Sequence, residues 1–171
     1  MDGTISQHLD GLAGETQRKA IRVPMRAIGE RLSTQCIKVA ALRIKGGSAS
    51  ALVQTNAASV HTIIGKLVTK ATAQDFPALA GTVVNATFNI FAFFIDVTGT
   101  LTTVMGIAAT TLQNVQFPPQ SGSKALVGFV IINPTGTGNF VGGTTVLDDA
   151  TVVPNAVFVD TNSCFDPTIL A

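Results

Sequence analysis

A chain of 171 residues is one to one and a half domain lengths, which leaves little room for a two-domain enzyme. Apolar residues make up 46% and charged residues only 12%, half the roughly 25% of ordinary soluble domains; this excludes a disordered chain, and the most apolar stretch, residues 90–95, falls far short of the roughly 18–20 residues of a spanning helix. Net charge is +1, split into +4 over residues 1–45 and −3 over the remaining 126, so the front is basic, the body mildly acidic, and so greasy a chain is expected to bury surface between subunits.

Helix formers and charges cluster in the first 35 residues, but Pro24 interrupts residues 15–32 and Gly11, Gly14 and Gly29 dilute them. This predicts two short helical turns around an extended kink. Ile21, Val23, Met25, Ile28 and Leu32 are spaced to lie on a neighbour and are too few for a core. Residues 1–35 therefore read as an extended, partly helical N-terminal docking arm. Its candidate contacts are Arg18, Lys19, Arg22, Val23, Met25, Arg26 and Ile28. Met1, Asp2, Gly3 and Thr4 open no positively charged region followed by an apolar one, so synthesis and folding in a reducing cytoplasm are expected.

Residues 36–171 read as the body, rich in Val, Ile, Thr and Phe and punctuated by Gly, Pro, Asn and Asp. Ile37, Val39 and Ala41 alternate with Lys38 and Ala40 up to Gly46 and Gly47, predicting a strand. Residues 60–70 form a second extended run with Gly65 as a bulge. Val84, Ala86, Phe88 and Ile90 then alternate with Asn85, Thr87 and Asn89, a half-buried strand that becomes apolar on both faces through Phe91, Ala92, Phe93, Phe94 and Ile95. Asp96 to Gly99 is turn chemistry and residues 100–106 the return strand of a hairpin. A connector with Pro118 and Pro119 leads to a near-continuous apolar strand over residues 124–133. Gly136, Gly138, Gly142 and Gly143 predict a loop without regular structure, and residues 156–161 a last strand. Short strands without intervening helices predict a mainly β fold, an antiparallel β-sandwich or jelly-roll-like body. Phe88, Ile90, Phe91, Phe93, Phe94, Phe129 and Phe158 are its candidate core or subunit interface.

No constellation for catalysis emerges. His8 and His61 stand outside any metal motif, GxSxG is absent, and the glycines from 136 to 143 lack both the following helix and the lysine of a phosphate loop. Asp148 and Asp149, the one acidic pair, read as a solvated turn rather than a calcium site. Cys36 and Cys164 have no zinc spacing; they read as buried free thiols, with a disulfide between them as the open alternative. Without Trp or Tyr the chain lacks the usual platforms for sugars and bases. A +4 segment with interspersed acids is weak for nucleic acid, which is not expected as a partner, and neither is a membrane. Neither an enzymatic activity, a cofactor nor a metal is expected.

Phe117, Pro118 and Pro119 through Lys124 to Val130, then Pro134, the run Gly143-Thr144-Thr145-Val146-Leu147-Asp148 and residues 156–160 carry a resemblance. Over roughly residues 83–160 the chain resembles small structural proteins of tailed bacteriophage virions, with Phe129 and Phe158 where tyrosine is more usual. The resemblance implies a β-rich protein without enzymatic activity, a capsid decoration (cement) protein or head fibre. It also implies homo-oligomers, trimers favoured, and as further partner a major capsid protein or other virion protein. The expected location is the virion, assembled in the host cytoplasm. A tail or fibre component is the second expectation, and a ligand-binding β-domain for sugar or calcium in host attachment the third.

Overall fold

The computed structural model describes residues 19–25, 29 and 33–162. Residues 19–25 are helical and so is residue 29, and the helix runs through Pro24. The kink expected there is not seen in the described residues, because the fixed φ of proline suits a helix and its missing donor strands only one carbonyl, here on an exposed segment.

The body is mainly β and every strand pair among the described residues is antiparallel. In chain order the strands are β1 (Gln35–Lys38), β2 (Leu42–Ile44), β3 (Val53–Thr55), β4 (Ser59–Ile63), β5 (Lys66–Lys70), β6 (Thr82–Val83), β7 (Asn89–Asp96), β8 (Leu101–Met105), β9 (Lys124–Ile132), β10 (Phe140–Val141) and β11 (Val157–Asp160). They form a four-stranded sheet in the order β11-β9-β7-β8, a three-stranded sheet β1-β4-β5, and two-stranded pairs β2-β3 and β6-β10.

The sequence of β7 sets this arrangement. On one face Phe91, Phe93 and Ile95 enter the main core, where the Phe93 ring lies 4.7 Å from Phe76 and Phe91 lies 6.0 Å from Phe140. On the other, Ala92 and Phe94 join Leu126 under Phe117 and Phe129, whose rings meet edge to face at 5.3 Å. The connector between β8 and β9 thus supplies Phe117 as a cover for the second face. The β7–β8 hairpin closes at Asp96, whose Oδ1 accepts from the Thr98 and Thr100 backbone N–H groups at 2.9 and 3.0 Å, with Gly99 at φ 82°. Gly128 in β9 lies against β11; a Cβ there would stand 2.5 Å from Leu42 Cδ1 and from the Val159 carbonyl oxygen.

Four local expectations change. The run from residue 36 is two strands, because Ala41 at φ 50° breaks it and the Leu42 N–H donates to Asp160 Oδ1 at 3.0 Å. Cys36, Ala40 and Leu42 consequently point inward, while Ile37 is exposed. Gly65 is no bulge: Ile64 at φ 51° and Gly65 at φ 73° form the two-residue turn of the β4–β5 hairpin, whose twist demands positive φ at both positions. The alternation over residues 84–90 does not become a strand. Asn85 Nδ2 donates to the Gly136 and Gly138 carbonyls at 2.8 and 3.0 Å and the Ala86 N–H to the Pro134 carbonyl, so the chain turns there with Ala86 at φ 60°. Val84 is left outside and Asn89 inside, its amide joined to the Gly106 carbonyl and the Ile90 N–H. Lastly, the glycine-rich loop carries β10, which pairs with β6 because Phe140 is fully buried against Phe91.

Phe93→Ala is expected to lower unfolding stability by about 3–5 kcal/mol, because it removes a fully buried ring from the middle of the core. Urea denaturation of the two proteins measures this.

Candidate docking surface

Residues 19–25 and 29 of the arm are exposed, Val23 at 71%, while Ser33, Thr34 and Gln35 at its junction with the body are half-buried. Of the candidate contacts, Lys19, Arg22, Val23 and Met25 are among them, while Arg18, Arg26 and Ile28 lie outside the described residues. Where the arm meets the body the geometry is definite. The Gly65 N–H donates to the Ser33 carbonyl at 3.0 Å and the Ile64 N–H to Thr34 Oγ1 at 3.1 Å. The polypeptide therefore enters the body at the tip of the β4–β5 hairpin.

Among the body candidates, Ile90, Phe91, Phe93 and Phe94 are buried within the single chain and leave no surface for a neighbour. Phe158 is half-buried against the main core, Phe129 half-buried against the second cluster, and Phe88 half-buried in a bridge to Ala109.

An apolar surface that sequence reasoning missed lies on the outer face of the three-stranded sheet. Its inner face, Ser59, His61 and Ile63 with Cys36 and Val68, is buried. Register then directs Gln35, Val60, Thr62, Leu67 and Thr69 outward, and the irregularity between Cys36 and Lys38 adds Ile37 beside Lys38. Ile37, Leu67 and Ile64 at the hairpin tip are 56%, 60% and 63% exposed. Lys38 shares the face, whereas Lys66, opposite Ile63, has the phase of the inner face at the end of the hairpin. Neither lysine is paired among the described residues, whereas Lys45 pairs with Asp75 and Lys70 and Lys124 donate to Gly99 and Thr102. The described carboxylates are all engaged within the chain: Asp148 by the Ala49 N–H, Asp149 by Thr151, Asp160 by the Leu42 N–H, Asp96 by its own turn and Asp75 by Lys45. The missed signal was the turn at Ile64 and Gly65, which fixes the phase of both flanking strands.

Reactive groups offer less. Burial pushes the Cys36 thiol up to about 11, helped by the negative charge of Asp160, so it stays protonated and unreactive at neutral pH. Cys36 is a free thiol, and Cys164 lies outside the described residues. A cleft of about 210 Å³ lined by Ile44, Leu147, Val153 and Phe158 has Asp148 at its lip, already bound to Ala49. No group of three His, Cys, Asp or Glu among the described residues could hold a metal ion, and no helix among them is long and apolar enough to cross a membrane.

His61, which stands outside any metal motif, is fully buried with neither ring nitrogen hydrogen-bonded. Burial lowers its pKa from 6.5 to about 4. The unfolded chain therefore takes up a proton that the folded one refuses. Stability should be complete above about pH 6.5 and fall as pH drops toward 4, by roughly 1–3 kcal/mol. His61→Leu should flatten that dependence, as urea midpoints taken between pH 4 and 7 will show.

The chain was compared with protein-family models, curated proteins and solved structures, and none matches.

Proposed function

We propose that this protein is a structural component of a phage particle, a capsid-decorating protein whose body is an antiparallel sandwich and whose N-terminal arm docks on the shell. The exposed arm carries the reading. Lys19, Arg22, Val23 and Met25 combine two cations with apolar side chains on a helical stretch, residues 19–25, that is exposed throughout. Such a segment contributes little to the core of its own chain and much to a contact with a neighbour, where apolar area is worth about 25 cal/mol per Å². The sandwich rests on the inner face of the β1-β4-β5 sheet, whose Ile63 and Val68 share the main core with Val127 and Val130 of β9. Own copies in a homo-oligomer, a trimer by the resemblance, and a major capsid protein are the partners this role requires.

The test is binding of purified protein to emptied phage shells, read by co-sedimentation. A variant carrying Lys19→Glu, Arg22→Glu and Val23→Asp should bind at least about tenfold more weakly, with circular dichroism and melting temperature unchanged. Unchanged binding would remove the arm from the proposal. Copy number in a purified particle separates the capsid role from a tail or fibre role: hundreds of copies support the first, a few dozen or fewer the second.

A further inference from the structure

The inner face of the β1-β4-β5 sheet holds a pair of groups that packing does not explain. Cys36 and His61 stand directly opposite one another on β1 and β4, and both are turned to the interior, 4% and 0% exposed. Neither His61 ring nitrogen has a hydrogen-bond partner, so the sulfur opposite does not satisfy it. Leucine would fill this space without loss, whereas an imidazole buried alone forfeits the hydrogen bonds that water gave it.

A thiol facing a neutral imidazole is a pair of metal ligands, and thiolate selects soft ions. Directly opposed residues of an antiparallel pair have Cβ atoms about 4.5–5.5 Å apart. One ion can bridge them, because metal bonds of about 2.0–2.3 Å to nitrogen and sulfur place the two donor atoms roughly 4 Å apart. The surroundings select the ion. No third His, Cys, Asp or Glu joins the two in a metal-holding group among the described residues. Zinc(II) takes four ligands, and with a single thiolate it would leave net positive charge in the interior. Copper(I), a soft monovalent ion with a filled d shell, accepts two donors in line and is neutralised by one thiolate.

An entry and an attraction accompany the pair. A cleft of about 400 Å³ lined by Gln35, Cys36, Ile37 and Asn162 opens beside Cys36. Asp160 lies close enough for its charge to act on the Cys36 thiol, and the charge that keeps a thiol protonated also draws a cation. We propose that Cys36 and His61 bind one copper(I) ion between β1 and β4, through the Cys36 sulfur and one ring nitrogen of His61. The thiol proton passes to water as the sulfur–metal bond forms, and nothing is oxidised or reduced. The ion ties the outermost strand of the sheet to its neighbour and stabilises the folded chain by binding it alone. The site stands independently of any role in a particle.

The test titrates the full-length chain carrying Cys164→Ser, in which Cys36 is the sole thiol, with copper(I) buffered by a chromogenic chelator in the absence of oxygen. The expected result is one ion per chain, a melting temperature that rises with copper(I), and a large NMR shift of one His61 ring nitrogen, with His8 unmoved. His61→Leu keeps the thiol yet should bind at least about a hundredfold more weakly, since residues that merely support a metal ligand are already worth about 10- to 100-fold. Cys36→Ser should bind at least as weakly. Equal affinity in His61→Leu, or a His61 nitrogen that does not shift in the metal-loaded chain, would show a thiol acting alone and overturn the proposal. Absence of one-to-one binding would overturn it as well. The nitrogen shift is read on a chain that keeps both groups, so it decides even where a variant fails to fold.

Discussion

Asn89–Asp96 must be buried on both faces, and the rest of the body follows from how that is achieved. A strand reading Phe91, Ala92, Phe93, Phe94, Ile95 has no side to show to water. Antiparallel neighbours on both edges, β8 and β9, satisfy its backbone, and two separate covers satisfy its side chains. The larger cover brings Phe76, Phe140 and the inner faces of β2 to β5 together. The smaller one is a piece of connector, held by Phe117 packing on Phe129. The glycines next to this strand are part of the same solution: a Cβ at Gly106 would stand 2.5 Å from the Gln116 carbonyl that ties the connector down.

Because the core is satisfied inside one chain, the surfaces left for association are those the core does not use. Two of them are the exposed stretch of residues 19–25 and the outer face of the β1-β4-β5 sheet, which the chain enters at the hairpin tip where Ser33 and Thr34 hold Gly65 and Ile64. Ile64 is a β-branched residue at φ 51°, a costly conformation that persists because those two hydrogen bonds and the turn type together require it. The buried phenylalanines fill the core, and the exposed aliphatic side chains of Val23, Ile37 and Leu67 lie outside it.

Strand content was legible in the sequence wherever the reason for a strand was local. The apolar runs of β7 and β9 and the turn at Asp96 announce themselves, since period, length and turn chemistry agree there. Reading failed where distant groups decide. Nothing near residue 85 reveals that its amide will be bound by carbonyls of residues 136 and 138, and nothing near residue 41 reveals that Asp160 will take the next N–H. The docking surface was half legible. The basic arm shows in the charge distribution, while the exposed sheet face depends on the phase of two strands, and a one-residue shift in the turn between them reverses it.

Amide hydrogen exchange on the full-length protein measures the division between a self-sufficient core and spare surface most directly. The account predicts that amides of Phe91 to Ile95 and their partners in β9 exchange only through global unfolding, while amides of residues 19–25 exchange orders of magnitude faster. Equal protection of the arm helix and β7 would contradict it, because the arm would then be part of the fold rather than a surface held out for a partner.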